Sequence, residues 1–220
     1  MGCSFRSATN PKKQLIIATR NPDKFREIRA VLSDLKLEFL SLIDFPDLPE
    51  IEEDGQTIEE NAIKKATEIH NHTGLPCLAD DTGLEVDSLG GAPGVYSSRY
   101  AGETATYADN CRKLLEEMEG IPYPQRTAHF RCVMALVTKN KVITTEGVCE
   151  GYILTQMRGQ NGFGYDPLFW VEPYGKTFAE MEPELKNRIS HRAIALNKMK
   201  PHLLNLFSTE DFGLCSGKFK

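Results

Sequence analysis

The stretch QLIIATRNPDKFREIRAVLSDL, residues 14 to 35, decides the fold class. QLIIAT, residues 14 to 19, reads as a buried strand, and Asn21 with Pro22 then supplies a helix cap and a first-turn proline. Phe25, Ile28, Val31, Leu32 and Leu35 follow on one face at helical spacing. Strand, tight turn and helix in that order predict an α/β chain.

The pattern continues outward from there. Thr57 and Glu60 form a capping box that opens a second helix through Ile63, Ala66 and Ile69, with its stop near Gly74. Leu75 and Leu78, with Pro76, Cys77 and Ala79 around them, predict a short buried segment; Gly83 predicts a turn just beyond it, leaving Asp80 and Asp81 at a strand end. Two β-rich runs, 128 to 138 and 141 to 154, predict a hairpin around Lys139 and Asn140. A last helix from Ser190 to Phe207 carries Ile194, Leu196, Met199 and Leu203, with Pro201 as a kink or break. No internal repeat or linker interrupts this alternation, so one mixed α/β fold is expected over 13 to 207, with mobile ends at 1 to 12 and from 208.

Composition narrows the partners. With 220 residues and 40% hydrophobic content the chain closes a substantial core, and its formal charge of -5 argues against wholesale coating of nucleic acid. Six cysteines without a CxxC pair or metal-ligand spacing read as reduced thiols of a cytoplasmic protein. No apolar run reaches membrane-spanning length, and MGCSFRSATNPKK lacks the apolar core of a signal peptide. Gly2 does not make a myristoylation site, because Arg6 stands where Ser or Thr is needed. A membrane partner is therefore not expected.

Four polar clusters fall at element boundaries, where a rigid core aims side chains into clefts. ATRNPDK, 18 to 24, joins a helix start to Lys24; it reads either as a phosphate site or as a capped helix with a solvated lysine. IEEDG, 51 to 55, puts three acids ahead of a helix, where they are either metal ligands or partners of the helix dipole. Asp80 and Asp81 are oxygen ligands suited to Mg²⁺, a hard ion that joins one or two carboxylates to substrate phosphates, or else they cap a solvated turn. NGFGYDPLF, 161 to 169, and KNRISHR, 186 to 192, bring aromatic faces together with Lys186, His191 and Arg192. That pair reads as a packed turn beside a capped helix or as an anion site, since cations near a helix N-terminus need a counter-charge.

In combination, ATRNPDKFREI, ENAIKKA, LADDTGLEVDSLGGAPGVYSSRYAG, GFGYDPLF and SHRAIAL resemble the inosine triphosphate pyrophosphatase family over residues 14 to 206, in the family's own order. The resemblance implies a two-lobed mixed α/β fold, with a long curved mixed sheet, flanking helices, a central substrate cleft and a homodimer. It implies hydrolysis of deaminated purine nucleoside triphosphates (ITP, dITP, XTP) to the monophosphate and pyrophosphate, with Mg²⁺ as cofactor or Mn²⁺ in its place. Residue by residue, Thr19, Arg20, Asn21, Pro22, Asp23 and Lys24 match the triphosphate-binding loop. Glu52 and Asp81 match the metal ligands, Asp81 also the proton acceptor, and Thr82 a substrate-contacting position. Phe163, Gly164, Tyr165 and Asp166 match the nucleoside-binding loop, and Lys186, His191 and Arg192 the base contacts. Arg20 departs from the small residue many members carry there. Two other readings stand beside this one: a pyrophosphatase for pyrimidine or modified nucleotides, and a nucleotide-binding module without turnover.

Overall fold

The computed structural model describes residues 13–209. Eight strands form one mixed sheet in the order β2-β1-β3-β5-β6-β7-β8, with β4 paired to β3 off that path. β1 (Gln14–Ile17), β2 (Glu38–Ser41) and β3 (Cys77–Val86) run parallel; β5 (Thr127–Thr138), β6 (Lys141–Ile153), β7 (Phe169–Val171) and β8 (Lys176–Thr177) extend the sheet antiparallel. α1 (Pro22–Val31) and α2 (Ile58–Thr73) are the crossovers between the parallel strands. Parallel pairing needs such crossovers, which is why the strand–turn–helix signal was enough to set the class.

Side-chain alternation along the strands sorts the core into two faces. Leu15, Ile17 and Leu78 pack with Ile28 of α1, with Leu32 at its C-cap and with Leu196, Met199 and Leu203 of α5 (His191–Thr209). Ile16, Ala18, Cys77 and Ala79 pack with Ile58, Ala62, Ala66 and Ile69 of α2 on the other face. A third cluster gathers where β5, β6 and β7 continue past the parallel strands: Phe130, Phe169 and Phe178 pack there with Leu114 of α3 (Tyr107–Glu117) and Met118 at its C-cap.

Several expectations hold as read. Asn21 caps α1, the Thr57–Glu60 box opens α2, Gly74 closes it in the left-handed conformation, and the hairpin pairs Thr138 with Lys141. Two do not. β3 runs straight through Gly83 without a turn, because β4 (Pro93–Gly94) crosses there: a Cβ on Gly83 would lie 2.7 Å from the Gly94 carbonyl oxygen. The glycine marks a close backbone approach, and Asp80 and Asp81 stand in mid-strand. Nor does Pro201, expected as a kink or break, end the last helix: α5 runs through it to Thr209.

Cys77, Cys111, Cys132 and Cys149 are buried free thiols, while Cys3 and Cys215 lie outside the described residues. The expected mobile ends also lie outside them, apart from Ser208 and Thr209, which finish α5.

Candidate active site

The cleft exists because β3 outruns its neighbour. β1 ends at Ile17 opposite Leu78, and β4 takes up the same side of β3 only at Leu84. Between them the β3 edge has no strand beside it among the described residues, and a cleft of about 320 Å³ opens there, reaching Asp81 and Thr82.

Alternation sends the two adjacent aspartates to opposite faces of β3, so they do not share one ligand. Asp80, 1% exposed, lies on the α1 and α5 side. Its Oδ2 accepts from Arg192 Nη2 at 3.0 Å and from Thr82 Oγ1 at 3.3 Å, and it pairs with Lys24 Nζ at 3.2 Å. Burial alone would raise its pKa, but Lys24, Arg192 and Lys65 outweigh burial and hold the carboxyl far below its usual range. The idea of a carboxylate pair awaiting one metal is thereby corrected: Asp80 already has its counter-charges.

Asp81 faces the α2 side and the cleft, and no hydrogen-bond donor meets its carboxylate among the described residues. Burial pushes it up to about 6, with Glu53 and Asp80 adding to burial against Lys65 and Lys24. Glu53 lines the same wall, where Lys65 of α2 pairs with it and Arg99 Nη2 donates to its carbonyl at 3.0 Å. Glu52, expected as the second metal ligand, is exposed and off the cleft wall. Alternate residues of this segment turn inward, and Ile51, packed against the α2-side core, sets the phase that brings Glu53 in and sends Glu52 out. Asp81 and Glu53 are thus the two carboxylates on the cleft wall, and among the described residues no third His, Cys, Asp or Glu joins them. Two such oxygen donors could hold a hard cation that keeps several waters.

At the mouth, Thr19, Arg20, Asn21 and Lys24 line the cleft, and Pro22 and Asp23 do not. Asn21 Oδ1 takes the backbone N–H groups of Asp23 (2.8 Å) and Lys24 (3.2 Å), so the helix start offers fewer free donors than its sequence implied. Lys24, paired with Asp80, is the more accessible of that carboxylate's two cation partners, its side chain 21% exposed against 2% for Arg192. Arg20 folds aside: its Nη2 donates to the Leu48 carbonyl at 2.7 Å and its Nη1 to that of Leu42 at 3.4 Å, strapping the 42 to 48 loop to the end of β1.

The opposite wall carries the aromatic and cationic group. Lys186 Nζ pairs with Asp166 at 2.5 Å and Glu27 at 2.8 Å, and Arg192 Nη1 pairs with Glu27 at 2.6 Å. Burial disfavours the charge on Lys186, but Asp166 and Glu27 outweigh it and keep the ammonium. Both cations lie over Phe163, at 4.9 and 5.6 Å from the ring centre. Phe163 is the accessible face; Tyr165 is packed into the third core, with its hydroxyl donating to the Ser97 carbonyl at 2.9 Å. Asp166 accepts from the Phe163 N–H at 2.8 Å and so shapes the loop. His191 stacks on Phe130 at 4.6 Å, and burial, then Arg192 and Lys186, keep it neutral.

Sequence reasoning missed Glu53, Lys65, Glu27 and Tyr107. Ile51 signals the first by its phase, and Lys65 lies within ENAIKKA. Glu27 follows Lys24 by one helical turn on the same face. Nothing local marks Tyr107.

Comparison with known proteins agrees in length and shape. Residues 15–202 match the profile of the Ham1 family. A dITP/XTP pyrophosphatase of Geobacter sulfurreducens is 56% identical over 191 residues, 86% of this chain and 96% of that one. A solved HAM1 protein from Coxiella burnetii superposes with a TM-score of 0.79 at 44% identity, covering 87% of this chain and 98% of the other. A solved nucleoside-triphosphatase (dITP/XTP pyrophosphatase) from Mycobacterium abscessus gives 0.69 at 42% identity, covering 86% and 99%.

Proposed function

The chain belongs to the Ham1 family, and from that premise we propose that it hydrolyses deaminated purine nucleoside triphosphates (ITP, dITP and XTP) to the monophosphate and pyrophosphate. The observation that carries this reading is one cleft with an acid wall, Asp81 and Glu53, facing a wall of Phe163, Lys186 and Arg192, with Lys24 at the mouth.

Lys24 binds the polyphosphate, while the base lies against Phe163 with its 6-oxo group toward the spare N–H groups of Lys186 and Arg192. An adenine would present an amino group there and leave buried donors unpaired, which a polar site rejects strongly. Water attacks the α-phosphorus, the bond to the bridging oxygen breaks, and pyrophosphate leaves. Asp81 accepts the proton of that water: its carboxylate faces the cleft with no hydrogen-bond donor committed to it among the described residues. Glu53 and Asp81 would hold Mg²⁺, or Mn²⁺, whose charge would steady the triphosphate oxygens.

A panel of nucleoside triphosphates with Mg²⁺ tests the reading. Pyrophosphate with the monophosphate is expected, ITP, dITP and XTP far ahead of ATP; orthophosphate as the product would move the attack to another phosphorus and overturn it. The reading extends to a homodimer acting in the cytoplasm, for which sedimentation should give twice the chain mass. Among the described residues no helix is long and apolar enough to cross a membrane.

A further inference from the structure

Tyr107 is the first residue of α3 and lines the cleft, yet it belongs to neither group of residues assigned above. Its surroundings place it between them. Asn21 Oδ1 is committed to two backbone N–H groups, which fixes the orientation of the amide and leaves Nδ2 to point away from α1. That Nδ2 donates to Tyr107 Oη at 2.8 Å. The ring of the same tyrosine meets Phe163, with centroids 6.0 Å apart and planes inclined by 42°. One side chain therefore touches both the phosphate end of the cleft, at Asn21, and the base end, at Phe163.

What lies between the base and the α-phosphate of any nucleotide is the sugar. The phenol oxygen accepts from Asn21, so its own proton is available, and no acceptor takes it among the described residues. The residue is presented rigidly. Thr106 and Asp109 form a capping box around it, and Asn110 ties the first turn of α3 to the Ala101 N–H at 2.8 Å and the Ser98 carbonyl at 3.0 Å. At 45% exposure the side chain stays open to the cleft mouth, where an entering sugar would cover it. We propose that Tyr107 is the sugar-binding residue of the cleft, its hydroxyl donating a hydrogen bond to a sugar hydroxyl of the bound nucleoside triphosphate.

The proposal rests on the nucleotide reading of the site, and its test separates the two. Tyr107→Phe keeps the ring against Phe163 and removes only the hydroxyl. With Mg²⁺ present, kcat/KM is measured for wild type and Tyr107→Phe on ITP, dITP and 2′,3′-dideoxyinosine triphosphate. The variant should lose about three- to tenfold on substrates that carry the contacted hydroxyl, the net worth of one neutral hydrogen bond, and be unchanged on the dideoxy compound. Loss on ITP alone puts the partner at C2′; loss on ITP and dITP puts it at C3′. An equal loss on all three, or no loss at all, overturns the proposal. Including ATP and its dideoxy counterpart keeps the outcomes apart: a wild type indifferent to hypoxanthine would sink the base reading, while the sugar dependence of the variant would still decide Tyr107.

Discussion

A one-residue shift separates Glu52, the acid the family resemblance points to, from Glu53, the acid on the cleft wall, and a matched pair of substitutions isolates it. Glu53→Gln and Glu52→Gln each remove one carboxylate charge from neighbouring positions, but only Glu53 shares the cleft wall with Asp81. Glu53→Gln should raise the Mg²⁺ concentration giving half-maximal pyrophosphate release by at least about tenfold, since even outer groups around a metal cost that much. Glu52→Gln should leave it unchanged. Arg192 needs a different expectation, because beyond the proposed contact with the base it holds two carboxylates of other elements. Its guanidinium bridges Asp80 at 3.0 Å and Glu27 at 2.6 Å with 2% of the side chain exposed. Arg192→Ala would leave Asp80 buried with Lys24 and Thr82 alone, and breaking such a pair costs about 3–5 kcal/mol. Urea unfolding should show that loss as a lower midpoint at unchanged slope, and a stability within about 1 kcal/mol of wild type would contradict the bridging role. Arg192→Lys keeps a charge but not the fork, so it should fall between the two.

The element that presents His191 and Arg192 is seated by a glycine of another element. A Cβ on Gly147, in β6, would lie 2.1 Å from the His191 carbonyl oxygen and 2.5 Å from the Ala195 nitrogen, and neither backbone atom yields without moving α5. Gly147→Ala should cost about 1–3 kcal/mol as overpacking does. It should also narrow the preference for ITP over ATP while the Mg²⁺ requirement, set on the opposite wall, stays put; kcat/KM on both substrates with a Mg²⁺ titration measures this. The same case shows what the sequence made legible. Asn21–Pro22, Thr57–Glu60, Gly74 and the 139 to 140 turn act on their own chain neighbours, and each was readable in its place. Gly83 and Gly147 answer to Gly94 and to α5, and the direction of Glu53 answers to the burial of Ile51. These are contacts remote in sequence, which local pattern does not carry. For Phe163 against Tyr165 the motif could not choose, because only the third core shows which ring is already packed.

On the scale of the whole molecule, the cleft joins packing regions that otherwise meet along the sheet. Asp81 lies on the α2 side of β3, while Phe163 stands in the loop leading to the third core, and the chain Lys24–Asp80–Arg192–Glu27–Lys186 threads β3, α1, α4 (Pro183–Ile189) and α5 between them. A ligand touching both walls should therefore stabilise the molecule as a unit. Asp81→Asn is the variant that exposes this. Removing the proposed general base should lower kcat by about 10²–10⁴-fold, so the substrate itself persists as a ligand during measurement. Burial works against the charge at this position, so the amide, which carries none, should leave the ligand-free stability at least equal to that of wild type. Magnesium–ITP at about a hundred times its dissociation constant should then add about 2.7 kcal/mol to Asp81→Asn, read from the unfolding midpoint. Hydrogen exchange should slow together in residues 50 to 53 and 161 to 166, the two walls. Slowing on one wall only would mean that the nucleotide does not span the cleft, and near-normal turnover by a folded Asp81→Asn would remove Asp81 from the chemistry.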